Sequence, residues 1–267
     1  MRVLLVGHSL LTPWVDYSHR ALERLGHAVR RFTCTNLLLD RLTLPRDKDR
    51  DGQPRRAEGS QGLRAAWHRW RDKSLVQAAR AFHPDLILVL WGNTLSPELL
   101  LSLKEKTGSR LVTWWVDDPF RHHAQSLIPL YDFFFIFDRS YLAPLREHGA
   151  QEVRFLPCAC DETVYYPRQL TPREQARYAS DVALVAWYYP DRTPIVQALT
   201  DFNLKIWGRH WTSPDAQLLF GGIPRQLAEG DLFVRDVVAA KIYSATKIGL
   251  NIHSDQTRRG GIEYAHL

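Results

Sequence analysis

Short apolar runs alternate with amphipathic stretches along the first half of the chain. Val3-Leu4-Leu5-Val6 ends at Gly7 and predicts a buried strand. Trp14, Tyr17, Ala21, Leu22 and Leu25 then recur at helical spacing, with Thr12 as a cap, Pro13 at the first helical position and Gly26 as a stop. Residues 29–33 predict a second strand, and residues 40–62, polar and Gly/Pro-containing, predict a loop. Leu63, Trp67, Trp70, Ser74, Ala78 and Phe82 mark a stripe on the next helix; Arg64, Arg69, Arg71, Lys73 and Arg80 fall on its other faces and read as solvated. Strands are predicted at 86–91, 111–116, 132–137 and 153–156, with helices after Ser96-Pro97 and across 139–148.

Helices set between short, near-continuous apolar strands predict a parallel sheet covered on both faces. Residues 157–178 hold several prolines and many charges and read as a linker. A second α/β alternation follows: strands at 181–186, 204–207 and 247–252, and helices from Pro190 and near 237–245. The expected organisation is therefore a first Rossmann-like domain over residues 1–160, a linker over 161–177 and a second Rossmann-like domain over 178–267.

Composition narrows the class without choosing a function. The hydrophobic fraction of 45% and charged fraction of 24% belong to a globular chain. A net charge of +6 suits an anionic partner or a solvated basic surface. The basic helix adds a weak anionic membrane-surface contact as a second possibility. Nothing points to specific nucleic-acid recognition. Three cysteines in no zinc-like spacing, and no targeting segment, suit a reducing, cytoplasmic setting.

Ligands of open parallel sheets sit beyond the carboxyl ends of the strands, so the candidate chemistry is sought there. At the first, Gly7 can admit a ligand to the backbone, with His8 or Asp16 as a base; a tight turn with a surface histidine is the competing reading. The lone Gly7 excludes the G-x-G-x-x-G dinucleotide fingerprint. At Trp91-Gly92-Asn93, Asn93 can bond a substrate hydroxyl or order its own loop. Asp117-Asp118, after Trp114-Trp115-Val116, offer a general base for an acceptor hydroxyl, or a turn before Pro119. Adjacent carboxylates on extended chain point opposite ways, so no metal site is expected from them. In the second domain Tyr189-Pro190-Asp191-Arg192 opens a helix and can receive a phosphate. Arg209, between Trp207 and Trp211, stands in a loop that either stacks a ring or packs on itself. Asn251, His253 and the Gly260-Gly261 pair follow the last strand and can approach phosphates.

The order of these features resembles the CgeB-like (spore-maturation-protein type) glycosyltransferases. The resemblance lies in Pro84-Asp85-Leu86 to Trp91, in Thr113 to Pro119, in Tyr131-Asp132 to Asp138 and in Gly149 with Val153 to Ala159. It continues through Tyr166-Pro167, Ser180 to Val185 with Asp191-Arg192, and Tyr243 to Lys247 running into Gly249 to His253. It implies a GT-B architecture of two Rossmann-like domains facing a cleft. The nucleotide-sugar would be held mainly by the second domain, near Arg192 and residues 249–253, and the acceptor by the first, with Asp117 and Asp118 at the cleft. It further implies metal-independent transfer with no cofactor, helix amides and basic side chains neutralising the leaving diphosphate. The acceptor is a glycan, protein or small molecule.

Two departures stand against the family pattern. Ala186-Trp187 occupies the place of a Gly-rich turn, and the family continues beyond the Asn251-Ile252-His253 strand with further βα units, so the second domain is expected to be incomplete. Glu263 lacks the flanking residues that would equate it with the family's ribose-binding Glu. Glycosyl transfer is the leading functional expectation. A GT-B-type sugar-nucleotide epimerase and a non-catalytic nucleotide- or sugar-binding protein are the alternatives.

Overall fold

A computed structural model describes residues 1–8, 14–34, 47–48, 54–55, 60–120, 124–189, 192–211, 234 and 236–252. The chain divides into two compact units, Met1–Ala159 and Cys160–Gly261. In the first, β1 (Arg2–Gly7), α1 (Trp14–Arg24) and β2 (Ala28–Thr33) precede a two-residue antiparallel hairpin, β3 (Asp47–Lys48) and β4 (Pro54–Arg55). Next come α2 (Ser60–Phe82), β5 (Leu86–Leu90), α3 (Pro97–Thr107), β6 (Arg110–Trp115), β7 (Phe133–Ile136), α4 (Leu142–Glu147) and β8 (Val153–Phe155). The sheet is parallel throughout, in the order β2-β1-β5-β6-β7-β8.

Successive side chains of a strand face opposite sides, so each buried strand serves two cores. Leu4, Val6, Ile87 and Val89 join the larger one with Leu75, Leu100, Leu103, Trp115 and Tyr131. Leu5 and Leu90 turn the other way, onto Val15 of α1. Helix α3 starts as expected: the Ser96 hydroxyl accepts the Leu99 N–H at 3.2 Å, Pro97 follows, and left-handed Gly108 closes it with a bond to the Lys104 carbonyl.

The second unit contains α5 (Pro172–Tyr178), β9 (Ser180–Val185), α6 (Thr193–Gln197), β10 (Leu204–Trp207), α7 (Asp236–Ala245) and β11 (Thr246–Leu250). Its sheet is parallel, in the order β10-β9-β11. Among the described residues no helix is long and apolar enough to cross a membrane.

Several expectations shift. Strand β5 ends at Leu90, because Trp91 takes a φ of 53° and turns the chain out of the sheet. The helix expected over 139–148 is a 3-10 turn at Arg139–Tyr141 followed by the short α4. Within the stretch read as linker lies α5, held by a reciprocal capping box: the Thr171 hydroxyl takes the Glu174 N–H, and the Glu174 carboxylate takes the Thr171 N–H. The helix expected from Pro190 begins at Thr193 and lasts five residues; Pro190 and Asp191 lie outside the described residues.

The largest shift is on α2. Its buried face carries Arg71, Leu75 and Ala79, not Trp70 and Ser74. Arg71 is 2% exposed while Trp70 is 64% exposed. The whole helix is turned by about one residue from the stripe the apolar side chains suggest, because Arg71 finds partners inside that its neighbours do not need.

Candidate functional site

Strands β1 and β5 lie side by side although α1, β2, the β3–β4 hairpin and α2 come between them in sequence, and the chain leaves them toward opposite edges of the sheet. Such a switch point leaves a crevice at the strand ends, and two of the expected clusters meet there. The His8 Nε2 lies 2.9 Å from the Thr94 hydroxyl, and its ring stands edge-on to Trp91 at 6.3 Å. Gly7 is required by packing: a Cβ there would come within 2.7 Å of the Val15 side chain and 3.3 Å of Leu90. Gly92 is required likewise, with the Tyr131 hydroxyl 2.6 Å and Val89 2.8 Å from where its Cβ would be. The Asn93 side-chain oxygen is buried and accepts no hydrogen bond among the described residues. Asp16 pairs with Arg31 on the surface of α1 and β2.

Arg71 is the residue the sequence reading missed. From α2 it donates through Nε and Nη2 to one Asp72 oxygen, at 2.8 and 2.7 Å, and through Nη2 to the Thr94 carbonyl at 3.0 Å. Its Nη1 is buried with no acceptor among the described residues. Thr94 is thus held by Arg71 through its carbonyl and meets His8 through its hydroxyl. Cys34, whose N–H donates to the Gly7 carbonyl at 2.8 Å, completes the cluster. Burial pushes its thiol up to about 12 against the opposing pull of the Arg71 charge. The one signal for Arg71 in the sequence was its spacing of four from Leu75 and eight from Ala79.

One strand further along the sheet, β6 delivers Asp117 and Asp118. The Asp117 carboxylate accepts the Asp118 N–H at 2.8 Å, and the buried Asp118 carboxylate accepts the Phe120 N–H at 2.9 Å. One oxygen of each side chain makes the turn that was the competing reading for this pair. His122 and His123 lie outside the described residues.

In the second unit a cavity of about 300 Å³ opens at the carboxyl ends of β9 and β11. Trp187, Tyr189, Arg192, Tyr243 and Asn251 line it. Arg192 donates through Nε to the Ile252 carbonyl at 2.9 Å and through Nη1 to the Trp187 carbonyl, with its guanidinium over the Tyr189 ring at 4.9 Å. It therefore ties the ends of two strands together while carrying its charge at the cavity wall. Helix α6 is too short to offer the amide-lined phosphate site expected before it.

The loop after β10 packs against the chain that follows β9, and Trp207 and Trp211 enter different cores. Trp207 and Trp211 are both buried, the Trp211 indole N–H donates to the Ala186 carbonyl at 2.7 Å, and the Tyr188 N–H donates to the Arg209 carbonyl at 2.9 Å. Arg209 itself lies 5.9 Å from the Trp187 ring. Where Ala186-Trp187 replaces the Gly-rich turn, the close approach is made from the other strand: Gly208 has a φ of 145°, and a Cβ there would lie 2.0 Å from the Ala186 carbonyl oxygen. His253, Gly260 and Gly261 fall outside the described residues.

Two successive parallel α/β units with site-bearing strand ends define the GT-B fold, and solved structures agree. Sucrose-phosphate synthase from Thermosynechococcus elongatus superposes with a TM-score of 0.60 at 14% identity, over 93% of this chain and 74% of that one. A putative UDP-N-acetylglucosamine 2-epimerase from Listeria monocytogenes does so with a TM-score of 0.60 at 10% identity, over 93% and 73%. MnaA from S. aureus, solved as a co-structure with UDP, gives 0.54 at 14% identity, over 91% and 71%. No protein-family profile matches the sequence, and no curated protein matches it.

Proposed function

We propose that the chain is a nucleotide-sugar-dependent glycosyltransferase of the CgeB-like type. The observation that carries the reading is the cavity at the β9 and β11 ends, walled by Arg192, Tyr189 and Asn251, in a chain of the GT-B fold. The nucleotide diphosphate of the donor enters this cavity, its charge met by Arg192 and Arg209. Transfer breaks the bond between the anomeric carbon and the diphosphate and forms one to an acceptor hydroxyl. The hydroxyl proton passes to Asp118 or His8, and the leaving diphosphate keeps the electron pair. No metal ion is needed if basic side chains carry the neutralisation. His253 and the Gly260-Gly261 pair belong to the donor side, Gly7, Trp91 and Asn93 to the acceptor side, and Asp117 orders Asp118. A cytoplasmic setting fits the free thiols of Cys34, Cys158 and Cys160.

Calorimetry with UDP and the other nucleoside diphosphates tests the donor site. Binding of one of them that survives EDTA and weakens in Arg192→Gln is expected, and absence of binding by all of them overturns the reading. Asp118→Asn should abolish transfer at unchanged thermal stability. A sugar-nucleotide epimerase is the second reading, favoured by the likeness to the Listeria protein. Product analysis separates the two: a glycosylated acceptor with free nucleotide, or an isomerised donor. A non-catalytic binding protein is the third, favoured because Arg192 is already engaged with two carbonyls.

A further inference from the structure

The rotation of α2 that buries Arg71 turns an apolar row outward. Trp70 is 64% exposed and Leu63, two turns earlier on the same row, is 61% exposed. On α3, which packs beside α2, Leu101 is 52% exposed. Isolated exposed apolar side chains are ordinary, but these flank a trough with a definite charge. A cavity of about 520 Å³ runs between the helices, with Lys73, Gln77, Arg80, Glu98, Ser102 and Lys106 on its walls. A second, of about 530 Å³, continues it and shares Gln77, Arg80 and Lys106.

Arg69, Lys73, Arg80 and Lys106 are exposed and have no ion-pair partner among the described residues. Asp72, also on the wall, is taken by Arg71, and Lys104 on α3 is taken by Asp132. Glu98 on the wall and exposed Glu105 on α3 are the acids that remain, and its own backbone amide and the Ser96 side chain hold Glu98 below the usual carboxylate range. Trp70 is three residues from Lys73, Lys73 four from Gln77, and Gln77 three from Arg80, so the ring and the cations occupy adjoining rows of one helix face.

We propose that the α2–α3 face of the first unit docks on an anionic lipid surface, with Trp70, Leu63 and Leu101 entering the headgroup boundary and Lys73, Arg80 and Lys106 receiving lipid phosphates in the trough. Aromatic and aliphatic side chains beside unpaired Lys and Arg match the chemistry of an interfacial helix. Leucines on both rims favour a bilayer over a nucleic acid, since Leu63 and Leu101 offer bases no ring to stack on beside Trp70. Such docking would bring the β1 and β5 strand ends, which Arg71 of α2 reaches through the Thr94 carbonyl, close to lipid-borne acceptors.

Sedimentation with vesicles tests the proposal. The chain should co-sediment with vesicles of phosphatidylcholine and phosphatidylglycerol in equal parts, and not with pure phosphatidylcholine, and salt should release it. Each surface cation contributes about fivefold to partitioning, so Lys73→Gln with Arg80→Gln should weaken it about 25-fold. Trp70→Ser with Leu101→Ser should weaken it at least about tenfold. All four side chains are exposed, and an unchanged melting curve for both double variants keeps the comparison clean. Equal binding to neutral vesicles, or unchanged partitioning of the Lys73/Arg80 variant, overturns the proposal. So does salt-sensitive capture by single-stranded RNA without vesicle binding. None of these outcomes depends on nucleotide binding by the second unit.

Discussion

Arg71→Met is the most informative single perturbation of the first unit. Methionine keeps most of the length and apolar stem, so packing under β5 survives and only the guanidinium bonds are lost. Those are two charge-assisted bonds to Asp72 and one to the Thr94 carbonyl. Removing one partner of a buried ion pair costs about 3–5 kcal/mol when the other is stranded. Asp72 retains 27% exposure and can rehydrate, which takes off a substantial part. The Thr94 carbonyl, losing its donor, costs about 1–3 kcal/mol if it stays dry. Relief of the unpaired Nη1 works the other way. A net loss of about 2–3 kcal/mol follows, or about 4–10 °C in melting temperature for a domain of this size. Arg71→Lys, which keeps the charge but not the fork, should lose about half as much. Urea unfolding followed by tryptophan fluorescence measures both. A loss under about 0.5 kcal/mol for Arg71→Met, within the range of ordinary surface substitutions, would refute the reasoning that these bonds fix the helix rotation.

Three further outcomes follow from the same geometry. Gly208→Ala places a Cβ 2.0 Å from the Ala186 carbonyl oxygen and should unfold the second unit or cost upwards of about 3 kcal/mol, whereas Gly26→Ala, with open space around it, should cost only about 1 kcal/mol; comparable melting curves for the two would contradict the packing argument. The Lys241 ammonium and the Thr171 amide and hydroxyl hold Glu174 down to about 2 from its ordinary 4.5. Its stabilising effect is therefore full above about 4.5 and is lost as pH falls toward 2, so the melting temperature should decline through that window and decline less in Glu174→Gln. Ellman's reagent at neutral pH should label Cys158 and Cys160 in the native protein and reach Cys34 only in denaturant; native labelling of three thiols would show that the β2 end is not closed.

The apolar runs and their turn residues determined the α/β alternation, because a strand buried on both faces must be apolar at every position and a covering helix must repeat near 3.6 residues. They also determined where chemistry could lie, since strand ends are marked by the break from apolar to polar: Gly7-His8, Trp91 to Asn93 and Asp117-Asp118 all stand at such breaks. What meets what was decided by strand order. His8 and Thr94 are 86 residues apart in sequence and touch because β1 and β5 pair, which no local pattern encodes. The rotation of α2 was likewise tertiary. Trp70 outside and Arg71 inside invert the hydrophobic expectation, and the reason is that a buried guanidinium is tolerated where a carboxylate and a carbonyl converge on it. In the second unit, the sequence offered the Trp207–Trp211 loop as stacking a ring or packing on itself; its seat against the end of β9, and the role of Gly208 there, were decided by the tertiary structure. The glycine that allows β9 and β10 to close lies on the strand opposite the place where the sequence lacks one, because a steric contact needs only one of its two sides to be small.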